Sequence, residues 1–98
     1  MAVLATQMIE KRVEIVNLLG LHARAAARFV RTATRFEANV TVTKDRRTTD
    51  GKSILGILFL AASIGSEVTI SASGEDEHEA LEALVNLVMC GLGEEGSK

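Results

Sequence analysis

Polar and apolar side chains alternate over Lys11 to Val16, with Val13 and Ile15 on one side, which predicts a half-buried strand. Asn17 to Gly20 then reads as a loop. From His22 to about Arg35 the period changes to that of a helix. Asn39 to Lys44 alternates again, with Val40 and Val42 inward, and Asp45 to Asp50 reads as a turn and a short third strand. Gly51 breaks the pattern. Ser53 to about Ala62 fits a second helix, although its apolar run would also suit a buried strand. Gly56, the Ala61-Ala62 end and Ser53 as an N-cap favour the helix. Glu67 to Ser71, with Val68 and Ile70 inward, is a further strand. Ser73-Gly74 followed by Glu75, Asp76, Glu77 and Glu79 marks a helix start, since acidic side chains complement the helix dipole. Leu81, Leu84, Val85 and Val88 give that helix its apolar face, and Gly91 and Gly93 end it. The order β-α-β-β-α-β-α contains no repeat and suggests an α+β domain, one antiparallel sheet with helices on one face. Residues 1–98 form a single domain in this reading, with 1–10 as an extension and 94–98 as a frayed tail.

The helices differ in character. On a helical wheel Arg28, Arg31 and Arg35 fall within about 40° of Arg24, while Ala26, Phe29, Val30, Ala33 and Phe36 lie opposite. The first helix therefore has a buried stripe and an arginine stripe. The second is apolar nearly all round. Ile57, Leu60 and Ala61 cluster on one side, and Ile54, Leu55, Leu58 and Phe59 fan over the other. A fully buried helix is the plain alternative, but so small a domain can hardly enclose one. An exposed apolar binding patch is the better reading.

Ninety-eight residues with 47% apolar composition support one aliphatic core, the only aromatics being three Phe. Cys90 is the single cysteine, so an internal disulfide is excluded, and it reads as a small buried or half-buried residue. His22 and His78 lack metal-ligand spacing, so no metal site is expected. A net charge of −2 and the absence of Tyr and Trp argue against nucleic acid as a partner. Met1 to Gln7 has no signal-peptide pattern, and the apolar block Ile54 to Ala62 is too short to span a bilayer. A cytoplasmic location follows as the default.

His22 is the candidate for chemistry. A helix N-terminus carries roughly half a positive charge and unpaired N–H groups, which favours a neutral imidazole and a nearby anion. The amides of Ala23, Arg24 and Ala25 and the Arg24 guanidinium would suit phosphate oxygens. A packing or capping histidine is the plain alternative. There is no Ser-His-Asp set, Walker loop or glycine-rich nucleotide fingerprint. A reactive His22 would therefore borrow its chemistry from a second protein. Ser53 is a helix cap or, alternatively, a site of regulatory phosphorylation. The arginine stripe suits an acidic partner surface, and His78 belongs to a solvated helix turn.

Gly20-Leu21-His22-Ala23-Arg24 and, some thirty residues on, Gly51-Lys52-Ser53-Ile54-Leu55-Gly56 resemble the HPr family, the histidine-containing phosphocarriers of the bacterial sugar phosphotransferase system. The match runs from about residue 11 to residue 93 and includes Gly65-Ser66-Glu67-Val68 and Gly74-Glu75-Asp76-Glu77. The resemblance implies an open-faced β-sandwich, four antiparallel strands covered by three helices. It implies that enzyme I, charged from phosphoenolpyruvate, phosphorylates Nδ1 of His22, and that an enzyme IIA domain of a sugar transporter takes the group onward. The protein would be a stoichiometric carrier without a cofactor, not an enzyme, and a monomer. Arg24 would balance the phosphate charge, and Ser53 would match the serine modified by HPr kinase/phosphorylase. Partner contacts would come from Arg24, Ala27 and Arg28 and from Ile54, Leu55 and Leu58. One departure stands out: Ala25 replaces a customary proline, keeping helix propensity and adding a donor. Two other readings compete: a regulatory HPr-like module acting by protein binding (nitrogen-branch or transcription-regulating), and a generic small interaction domain.

Overall fold

A computed structural model describes residues 8–93; the expected frayed tail, 94–98, lies outside the described residues. The chain runs β1 (Ile9–Glu14), α1 (Ala23–Ala33), β2 (Asn39–Lys44), β3 (Arg47–Asp50), α2 (Ile54–Leu60), β4 (Glu67–Ser73) and α3 (Glu77–Met89). The order of elements is the expected one. β1 begins at Ile9, so the extension expected over residues 1–10 overlaps the first strand, where Ile9 pairs with Ala72.

The four strands form one antiparallel sheet in the order β1-β4-β2-β3. Register follows from the inward residues. Val13 faces Val68, Val42 faces Ile70 and Val40 faces Ala72, so one row of aliphatic side chains lines the inner face. The opposite pleat carries Thr41, Thr43, Thr69 and charged β1 residues. There the Thr43 and Thr48 hydroxyls lie 2.8 Å apart. Polar chains on that face leave it open to solvent, as an uncovered antiparallel face requires.

All three helices pack over the inner face. α3 covers β1 and β4, α2 lies against β2 and β3, and α1 packs on both other helices. Phe29, Ile57, Leu84 and Leu92 join the sheet valines in one core. Ala25 is fully buried beside Ala26, Phe29 and Ala33, so α1 approaches its neighbours closely at a small side chain. Phe36 belongs with Ile9, Ala38, Ala72, Ala80 and Leu81 in a separate small cluster. Asp76 fixes the α1–β2 junction, its carboxylate accepting the amides of Glu37 at 2.9 Å and Ala38 at 2.8 Å. At the start of α3 the side chain of Asp76 makes no cap bond; Glu77 instead accepts the Gly74 amide at 2.9 Å. Cys90 is exposed at the end of α3, not buried, because the chain turns inward only afterwards, through Gly91 and Leu92.

Candidate functional site

Three consecutive residues, Gly20, Leu21 and His22, bring the chain to the start of α1. Gly20 takes a positive φ of 66°, and a Cβ there would strike the Ala62 carbonyl oxygen, so glycine is required. The Leu21 amide then bonds that same Ala62 oxygen at 2.9 Å, which ties the approach to α1 onto the segment following α2. Buried Leu21 anchors the next step in the core. His22 follows in extended conformation as the N-cap, its carbonyl accepting the Ala26 amide at 2.8 Å.

The imidazole itself caps the helix. The Arg24 N–H donates to Nδ1 of His22 at 3.3 Å, so Nδ1 presents a lone pair and not a proton along that line. Histidine is an uncommon cap, and here it points one ring nitrogen at the positive end of an eleven-residue helix. Ala23, Arg24 and Ala25 supply the first three amides of the helix, ahead of the Ala26 amide that closes the first turn. The histidine is half-buried; Ala23 and Arg24 are exposed, so the ring can be reached from solvent.

Ser53 caps α2 as the spacing predicts: its hydroxyl oxygen accepts the Gly56 amide at 3.0 Å. Around it, Lys52 reaches across to the Phe36 carbonyl at 2.8 Å and fastens the start of α2 to the end of α1. Gly56 packs against Thr49 so tightly that a Cβ would collide with the threonine hydroxyl.

α2 divides into two faces. Ile57 and Leu60 are buried, while Leu55 is 65% and Phe59 71% exposed and Ile54 is exposed beside them. Leu58 is half-buried and packs against the core, a position between the two faces. Ala61, grouped with Ile57 and Leu60 on the wheel, departs from them: it is the exposed C-cap in left-handed conformation, φ 53°, and Ala62 is buried. The left-handed turn rotates the chain by one residue at the helix end.

The arginine stripe is less uniform than the wheel predicts. Arg24, Arg31 and Arg35 are exposed, and Arg35 stands 5.9 Å over the ring of Phe36. Arg28 is half-buried and donates to the Leu92 carbonyl at 3.0 Å, so it is held against the turn after α3. Ala27 is half-buried between these arginines.

Sequence reasoning missed two features of the site. Leu18 and Leu19, in the loop leading to His22, are 69% and 71% exposed and add apolar surface beside it. Asn17, in the same loop, is fully buried, its side-chain amide donating to the Gly20 carbonyl at 2.7 Å. The leucines were visible as apolar residues in a loop; nothing in the sequence marks Asn17. No group of three potential metal ligands occurs among the described residues, and no helix there is long and apolar enough to cross a membrane.

Comparison with known proteins gives the family and agrees with the fold. Residues 9–89 match the family described as the PTS HPr component phosphorylation site. A phosphocarrier protein HPr from Neisseria meningitidis serogroup A is 44% identical over 87 residues, covering 89% of this chain and 98% of the relative. The HPr-like protein Crh of Bacillus subtilis is 48% identical over 81 residues, 83% of this chain and 95% of Crh. Among solved structures, HPr from Thermoanaerobacter tengcongensis superposes with a TM-score of 0.85 at 48% identity, covering 89% of this chain and 98% of that one. The chain belongs to the HPr family, the phosphocarriers of the phosphotransferase system.

Proposed function

We propose that the protein accepts a phosphoryl group on Nδ1 of His22 from phospho-enzyme I and passes it to a histidine of an enzyme IIA domain, in the cytoplasm and as a monomer. The observation that carries this reading is the hydrogen bond from the Arg24 amide to Nδ1, which sets that nitrogen's lone pair at the positive end of α1. In the transfer, the Nδ1 electron pair forms a new N–P bond while the P–N bond of the donor breaks and its electron pair returns to the donor imidazole. The phosphoryl oxygens then replace Nδ1 as partner of the Arg24 amide and take up the Ala23 and Ala25 amides as well, and the Arg24 guanidinium adds permanent charge. Onward transfer reverses these steps, so modest stabilisation serves better than tight capture.

The exposed face of Ile54 and Leu55, with Leu58 and Phe59 beside it, is the docking surface in this reading, assisted by Arg24, Ala27 and Arg28. Both partners use it in turn, which favours an apolar surface left uncovered in the free carrier. Ser53 is the regulatory position, open to HPr kinase/phosphorylase. A phosphate there would be tolerated by the helix start while placing about two negative charges beside the docking face.

Incubation with enzyme I and phosphoenolpyruvate tests the assignment. The wild type takes up an acid-labile, base-stable phosphate, and His22→Ala takes up none. Equal labelling of the variant removes His22 from the mechanism, and unlabelled wild type favours the regulatory-module reading instead.

A further inference from the structure

We propose that Asn17 is the positioning residue for His22, acting through the Gly20 carbonyl; this rests on the phosphocarrier reading above. The side-chain N–H of Asn17 donates to the Gly20 oxygen at 2.7 Å, and the His22 backbone N–H donates to that same oxygen at 2.9 Å. One carbonyl therefore joins the two residues. Asn17 also closes the loop from the other direction, since its own carbonyl accepts the Gly20 amide at 3.1 Å. The four residues Asn17 to Gly20 are thus clasped at both ends by a single side chain and its backbone. Full burial of Asn17 keeps water from competing for either bond.

The consequence is orientational. Gly20 sits in left-handed conformation against the Ala62 carbonyl, and the Asn17 amide holds the Gly20 carbonyl in one orientation. That orientation sets the peptide plane before Leu21, and the direction of the His22 N–H follows from it. The imidazole then meets the Arg24 amide through Nδ1 and not through its other nitrogen. A leucine or alanine at position 17 would pack, but would leave the Gly20 oxygen short of one donor and the plane free to rotate. Asparagine carries out a task that a simply hydrophobic residue could not, and it does so without touching the phosphoryl group.

Three measurements decide the matter. In the wild type, nuclear magnetic resonance should show scalar coupling across the hydrogen bond between Asn17 Nδ2 and the Gly20 carbonyl carbon; its absence overturns the proposal. In Asn17→Ala, at a temperature where circular dichroism shows the variant fully folded, the Arg24 amide proton should shift as its bond to Nδ1 loosens. The rate constant for phosphoryl transfer from enzyme I should fall by about tenfold or more, with KM for enzyme I unchanged because the docking face is intact. A purely structural asparagine gives a lower melting temperature with the Arg24 resonance and transfer rate as in the wild type, which overturns the proposal. Asn17→Asp, of equal size but with the donor replaced by an acceptor, should reproduce both effects. If neither variant folds, the same two readings on Asn17→Ser decide, and absence of the wild-type coupling overturns the proposal in any case. Failure of the wild type to accept phosphate would sink the phosphocarrier reading, while the Arg24 resonance would still report on Asn17.

Discussion

His22, Ser53 and Asp76 all stand at helix starts, and each uses its side chain differently. Ser53 makes the ordinary cap bond to the Gly56 amide. Ser53→Ala should cost about 1 kcal/mol of stability, read from denaturant unfolding, with phosphoryl transfer unchanged. Ser53→Asp should fold normally but slow transfer from enzyme I, since it puts charge beside the apolar face; an unchanged rate would defeat the regulatory role. Asp76 turns away from its own helix to hold the loop after α1. The Glu37 amide above all, then the Ala38 amide and the charge of Lys52, hold its carboxyl below the ordinary value of 3.8 against the opposing effect of burial. A carboxyl with a lowered folded-state pKa binds protons more readily once unfolded, so its stabilisation is full above about pH 4 and fades as pH falls below it. Asp76→Asn should flatten the acid limb of stability against pH, and an unaltered limb would show that the carboxylate contributes nothing. At this scale His22 and Ser53 were legible because capping is a local signal. Asn17 was not, because loop residues are normally solvated and full burial of this one is a tertiary outcome.

The elements were legible where period and partner agreed. β2 matches its predicted bounds, since its alternation continues until the hairpin turn at Asp45. α2 was ambiguous because its apolar run satisfies both helix and strand, and its end was obscured because alanine occupies the C-cap. A non-glycine residue in left-handed conformation carries a steric cost, set partly against the greater freedom that glycine brings to the unfolded chain. Ala61→Gly should therefore stabilise the protein by about 0.5–1 kcal/mol, visible as a rise of about 2–8 °C in Tm. No rise would mean that the left-handed turn costs alanine little here. The exposed face of the same helix makes an opposite demand. Leu55→Asp should leave Tm nearly unchanged, because Leu55 is 65% exposed, while raising KM for enzyme I. Phe59 was predicted to lie on the far side of the helix, and its 71% exposure places it on that same face.

At the scale of the whole molecule, a mildly acidic chain carries a row of three exposed arginines, Arg24, Arg31 and Arg35, along one side of α1 and its end. Such a patch accelerates encounter with an acidic partner more than it tightens the final complex. Arg31→Glu combined with Arg35→Glu should slow association with enzyme I by about tenfold at low salt, and the difference should close as salt rises. A salt-independent difference would point to lost packing instead. Alternating patterns predicted one sheet with helices on one face, but could not say that β4 lies between β1 and β2. That order follows from long-range pairing of valines and isoleucines whose residue types are nearly interchangeable along the sequence. The site is assembled across the same long range, since the Ala62 carbonyl after α2 steadies the turn before His22.

Nitrogen and phosphorus spectroscopy of the phosphorylated protein, with 15N in its histidines, reaches the central claim most directly. The geometry at the start of α1 predicts one-bond 31P coupling to Nδ1 of His22. Coupling to the other ring nitrogen, or to His78, would contradict it.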